Sequence, residues 1–145
     1  MTNLSGSVTA TVRLESTLNL EDQPNHQMQI CEVRGKQQSP DAKWNNSILS
    51  YWGMADLQSG SGVQRGYYVN EHQDGDRDFG SYEGRITVNG SDVTLEGKFI
   101  FTGGTGKLKG IRGSGSYKGK MISPTEIQMN WSGAYEVASG AGQAA

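Results

Sequence analysis

Glu32 and Arg34 stand two residues apart in a stretch, His26 to Arg34, that reads as a β-strand. Residues two apart on a strand share a face, so both lie on the side of Met28 and Ile30. If that side lines an apolar interior, burial raises the Glu32 carboxyl pKa. Glu32 can then take or relay a proton while Arg34 holds an anionic substrate or intermediate. The opposite parity, with Cys31 and Val33 inward, leaves Glu32 in water, and periodicity alone does not choose between them. A second polar group, His72, Asp74, Asp76, Arg77 and Asp78, surrounds Gly75. A histidine beside carboxylates can act as a general base. Asp and Gly are also ordinary turn residues, and the favoured reading is a solvated hairpin.

Two other patterns fail on spacing. Gly103-Gly104-Thr105-Gly106-Lys107 suggests a phosphate loop, but Phe101 and Leu108 occupy the positions that need Gly and Ser or Thr. The segment is read instead as a tight structural link. His26, His72 and Cys31 are too few and too dispersed for a zinc or copper centre. No metal and no cofactor are expected.

The elements that must position these residues are strands. Ser7 to Leu20 alternates, with Val8, Ala10, Val12, Leu14, Leu18 and Leu20 on one face and Thr, Arg and Glu on the other, the signature of a half-buried strand. Further strands are expected over His26–Arg34, Ser47–Leu57, Val63–His72, Phe79–Val88, Asp92–Phe101, Gly113–Met121 and Thr125–Glu136. Gly35 to Lys43, containing Pro40, reads as a loop. Gln58 to Gly62 reads as a hairpin connection, and Asn89-Gly90 is the strongest short hairpin signal. Tyr82, Ile86 and Val88 share a face, as do Val93, Leu95, Phe99 and Phe101, and Ile127, Met129, Trp131 and Tyr135. About eight strands at regular spacing with no helical stretch predict an all-β sandwich or barrel. Glycines inside strands (Gly53, Gly66, Gly84, Gly97) favour a small closed antiparallel barrel. One domain is expected over residues 1–137, followed by a flexible tail over 138–145.

Composition narrows the function. The chain has 145 residues, a net charge of −2 and 21 glycines, about twice the usual glycine share of roughly 7%. No Lys/Arg run marks a nucleic-acid partner. No apolar run approaches the roughly 20 residues that span a bilayer, so no membrane partner is expected. One cysteine allows no intrachain disulfide. The opening MTNLSGSV lacks the regions of a signal peptide, which fits a cytoplasmic protein or a mature secreted form.

The segment GDRDFGSYEGRITVNG, then FTGGTGKLKGIRGSGSY and SPTEIQMNWSGAY, resembles the allene oxide cyclase barrel and the related dirigent proteins over roughly Gly75 to Tyr135. The resemblance implies an eight-stranded calycin-like barrel, a homo-oligomer (dimer or trimer), and cofactor-independent isomerase or cyclase chemistry on a small apolar or aromatic substrate held inside. It makes Glu32, ahead of Gly35 and Ser39-Pro40, the counterpart of the family's catalytic Glu. Arg34 stands where the family has an Asn. Met54 lies near the next family Asn, and Tyr68 near the family's pocket Cys. With Glu32 as acid/base and Arg34 as anion holder, the candidate substrate-binding residues are Trp52, Met54, Tyr68, Tyr82, Phe99 and Trp131. Two other readings remain: a lipocalin-like binder without catalysis, and a structural or interaction barrel filled by its own side chains.

Overall fold

A computed structural model describes residues 1–137; the expected tail over 138–145 lies outside the described residues. Eight strands follow one another: β1 (Thr2–Asn19), β2 (His26–Gln38), β3 (Ile48–Gln58), β4 (Ser61–Glu71), β5 (Arg77–Asn89), β6 (Asp92–Gly104), β7 (Ile111–Ser123) and β8 (Glu126–Val137). Each pairs antiparallel with the next, and β8 pairs with β1, closing an all-β barrel. Closure leaves no strand edge unpaired. The only helical piece among the described residues is a single 3-10 turn, Gly106–Leu108, in the glycine-rich link between β6 and β7.

The two-residue period decides what fills the barrel. Leu49 and Tyr51 of β3, Tyr68 of β4, Leu95, Phe99 and Phe101 of β6, and Met129 and Trp131 of β8 are buried and pack together. Rings this large fit a narrow barrel because strand glycines make room for them. Gly53 pairs with Gly66 across β3 and β4, Gly84 with Gly97 across β5 and β6, and Gly115 with Gly133 across β7 and β8. The Tyr82 hydroxyl lies against Gly53 and Gly66, the Tyr117 hydroxyl against Gly84 and Gly97, and the Phe99 ring against Gly115. Aromatic rings laid over strand glycines are a known device for curved sheets.

The hairpins follow their residue types. Ser59-Gly60 joins β3 to β4 with φ of 52° and 86°, the double left-handed geometry of a type I′ turn. Between Asn89 and Asp92 the loop is Gly90-Ser91. Gly90 supplies a φ of 64°, which suits the first position of a type II′ turn.

Two expectations require correction. First, the strand face expected to run from Val8 through Leu20 changes sides. The β1–β2 register shifts between Val12 and Leu14, and this bulge turns Leu14 and Leu18 outward, where they are 63% and 65% exposed. An extra residue in a period-two element inverts everything after it. Second, Gly35 does not end β2, which runs on to Gln38. A side chain at Gly35 would press on the Ala10 and Thr9 backbone of β1, so this glycine serves close strand approach and not chain reversal.

Candidate functional site

The parity of β2 is now fixed. Val33 and Gln37 are buried, Cys31 packs against the core, and Glu32 and Arg34 point out of the barrel. Burial pushes the Cys31 thiol up from its ordinary value, as expected of a small apolar filler. Glu32 accepts a hydrogen bond from the Trp52 indole at 2.8 Å, and the Arg34 Nε–H donates to the Ser50 hydroxyl at 3.1 Å. Trp52 and Met54 are 41% and 43% exposed on the same outer wall. Of the eight expected site residues, these four therefore face solvent, and no barrel-interior role is open to Glu32 or Arg34. The physical reason is the alternative parity described above. Tyr68, Tyr82, Phe99 and Trp131 do converge inside.

Those four help line a cavity of about 80 Å³. Tyr51, Leu49, Leu95, Phe101, Tyr117 and Met129 complete most of its wall. Perpendicular ring pairs brace it: Tyr51 on Tyr82, Tyr82 on Tyr117, Tyr68 on Phe99 and Phe99 on Trp131, with centroids 5.5–6.1 Å apart. This is the favoured edge-to-face geometry. Burial pushes the Tyr51, Tyr68 and Tyr82 phenols far above their ordinary 10 and Tyr117 up to about 12. All four stay protonated, as neutral donors, across the physiological range.

One end of the barrel is polar and closed. Trp131 donates its indole N–H to Gln37 Oε1 (2.9 Å), Gln37 donates to Asn70 Oδ1 (3.2 Å), and Asn70 donates to Asp78 Oδ2 (3.0 Å). His72 Nε2 meets Asp78 Oδ1 at 2.6 Å, and His72 Nδ1 meets the Lys43 carbonyl at 2.7 Å. Parity could have found this chain, because Gln64, Tyr68, Asn70 and His72 continue one inward row of even numbers. The solvated hairpin expected for His72 and Asp78 is corrected accordingly: they are 3% and 0% exposed. Asp74 and Asp76 do occupy the turn. Both bind the Lys43 ammonium at 2.6 Å, which holds their carboxyls below the ordinary value.

Both His72 nitrogens face oxygens that accept, so the arrangement suits an imidazolium donating on each side. Burial pulls its pKa down. The hydrogen bonds to Asp78 and to the Lys43 carbonyl, with the Asp78 charge, outweigh both burial and the nearby Lys43 charge, and the pKa lies above the ordinary 6.5. The folded chain thus holds this proton more tightly than the unfolded chain. Its stabilisation is complete below about pH 6.5 and is lost as pH rises through the higher folded value. On the surface, His26 shifts the same way, chiefly through its hydrogen bonds to Asp22 and Asp56. The urea midpoint of a His26→Gln variant should therefore still fall as pH climbs above 6.5; a flat profile would remove the imidazolium assignment.

Trp44 lies in the connection between β2 and β3, which no periodic signal marks. Its ring is 1% exposed and packs edge-on to His72 at 4.9 Å and against Tyr135 at 5.1 Å. It forms part of the cavity wall. The segment carrying it is tied down by backbone bonds between Gln37 and Ser47 and by Lys43. The Trp44 Nε1–H is the one buried side-chain polar atom among the described residues that has no hydrogen-bond partner. A buried donor left unpaired costs about 1–3 kcal/mol.

Among the described residues, no group of three His, Cys, Asp or Glu is placed to hold a metal ion, and no helix is long and apolar enough to cross a membrane. No protein-family profile, no curated protein and no solved structure matches the chain.

Proposed function

We propose that the barrel binds a small apolar or aromatic molecule in its interior, as a relative of the allene oxide cyclase and dirigent barrels. The observation that carries this reading is the cavity wall, which is almost wholly aromatic and aliphatic with a few fixed polar groups at one end. Small-molecule sites commonly have that composition. At about 80 Å³ the cavity is roughly half the size of an engineered apolar cavity of about 150 Å³ that admits benzene, so it excludes a fatty-acid chain and takes a single ring only as the surrounding side chains move apart.

Isomerase or cyclase activity on such a ligand would rest on confinement and on the neutral phenol donors, because Glu32 and Arg34 lie outside the barrel. Positioning alone can lower a barrier substantially. The test is a thermal-shift screen with small cyclic hydrocarbons, ethers, ketones and phenols. At a hundred times its dissociation constant, a ligand adds about 2.7 kcal/mol and should raise Tm by roughly 5–10 °C. A Leu95→Phe variant, with the cavity narrowed, should lose the shift. No shift with any compound would favour a barrel filled by its own side chains.

The outer wall supports the expected homo-oligomer. Leu14 and Leu18 of β1, Met28 and Ile30 of β2, Trp52 and Met54 of β3 and Tyr67 of β4 are exposed on adjacent strands. Contiguous apolar surface of this kind commonly marks an interface. Light scattering should give a dimer or trimer for the wild type and a monomer for Met54→Glu. A monomeric wild type at about 100 μM, well above a micromolar Kd, would rule the assembly out.

A further inference from the structure

We propose that the Tyr51 and Tyr82 hydroxyls form a donor pair for one ligand oxygen, and that the ligand is a small neutral carbonyl compound, a ketone or aldehyde. The inference rests on the binding reading above and adds the ligand's polar group and the residues that hold it.

Four phenols line the cavity, and two of them are committed. The Tyr68 hydroxyl donates to the Ile100 carbonyl at 3.3 Å, and the Tyr117 hydroxyl accepts from Gln64 at 2.7 Å. The Tyr51 and Tyr82 hydroxyls have no hydrogen-bond partner among the described residues. Tyr51 is 8% exposed, and Tyr82 packs partly buried against the same core. Trp44 Nε1 is the only unpaired side-chain polar atom among the described residues that is fully enclosed. The two phenol oxygens therefore keep open space beside them, whereas Trp44 is sealed off from anything in the cavity.

The pair is held in place. The Tyr51 and Tyr82 rings meet edge to face at 5.5 Å, and the Tyr82 hydroxyl is seated over Gly53 and Gly66. A charge on Cys31 or Tyr117 would repel a phenolate at either position, so both hydroxyls lie near the same two groups. Burial keeps both protonated, and each brings a proton with no acceptor. Native proteins leave few buried polar groups in that state. A carbonyl oxygen has two lone pairs and no proton. Being terminal, it can receive both donors and leaves no group of its own unpaired. No carboxylate, ammonium or guanidinium is among the cavity-lining residues, and an unpaired ion in such a site is strongly disfavoured. The ligand is therefore neutral.

Cyclopentanone and methylenecyclopentane have nearly the same shape and differ in the acceptor. Dissociation constants are measured for both with wild type, Tyr51→Phe, Tyr82→Phe and Tyr68→Phe. The affinity of the ketone relative to the hydrocarbon should drop about tenfold in Tyr51→Phe and in Tyr82→Phe. It should stay unchanged in Tyr68→Phe, whose hydroxyl is already bonded. In wild type, the carbonyl stretch of isotope-labelled cyclopentanone should lie at lower frequency when bound than in hexane. That readout stands if a variant fails to fold. Unchanged ratios in both Tyr51→Phe and Tyr82→Phe, or an unshifted stretch in wild type, would overturn the donor pair while leaving the cavity as a binding site. Failure of both compounds to bind wild type would overturn the binding reading itself.

Discussion

Replacing Asp78 by Ala should lower stability by about 3–5 kcal/mol, the cost of removing one partner of a buried charge pair. Asp78 is fully buried and accepts from both His72 and Asn70. With it gone, the His72 imidazolium keeps only the Lys43 carbonyl and the Asn70 amide loses its acceptor. Asp78→Asn should behave differently. Its carbonyl can accept from Asn70, its amide can donate to His72 Nε2, and a neutral His72 can still donate from Nδ1 to Lys43. Every member of the chain stays paired, so most of the stability should remain while, in a His26→Gln background, the loss of stability above pH 6.5 disappears. Urea unfolding of both variants across pH tests this. Equal and small losses for Ala and Asn would show that the His72–Asp78 pair is not an ion pair supporting this end of the barrel.

The second large effect concerns the glycine and tyrosine packing. A Cβ at Gly53 would run into the Tyr82 hydroxyl, while its next neighbours, Tyr82 Cζ and the Arg65 carbonyl, lie at ordinary distances of 3.4 and 3.5 Å. Gly53→Ala should cost about 1–3 kcal/mol, as overpacking does. Tyr82→Phe removes the offending oxygen, so the double variant should recover most of that loss, a coupling readable in a double-mutant cycle. Gly66→Ala is the contrast. There the Cβ meets the Trp52 carbonyl and the Gly53 Cα at 2.7 Å, both backbone, and Tyr82→Phe should not rescue it. Additive losses for Gly53→Ala and Tyr82→Phe would mean that the ring does not lie over the glycine pair.

Much of this was legible in the chain, for identifiable reasons. Alternation over Val93–Phe101 and Ile127–Tyr135, with turn residues at Ser59-Gly60 and Gly90, follows from local steric preference, and the barrel strands there fall where the period puts them. Gly53, Gly66, Gly84 and Gly97 marked the curvature. The bulge after Val12 left no local sign, because Arg13 and Leu14 continue a plausible alternation; only the pairing with β2 shows the inversion. The faces of Glu32 and Arg34 were undecidable for the same reason: Met28 and Ile30 are as apolar as Cys31 and Val33, and exposed apolar residues on the outer wall mimic a core face. His72 and Asp78 were misread because turn chemistry around Gly75 outweighed the inward row that ends at His72. Trp44 belongs to an irregular connection, and its position depends on contacts with His72, with Phe101 of β6 and with Tyr135 of β8 that no local pattern encodes.

The most direct measurement is a titration with anisole followed by methionine methyl NMR. Met129 lines the interior, while Met28 and Met54 lie on the outer wall. Binding inside the barrel predicts a saturable shift of the Met129 methyl, unchanged Met28 and Met54 methyls, and loss of the response in Leu95→Phe. Shifts confined to Met28 and Met54 would place the ligand on the outer wall and contradict an interior binding site.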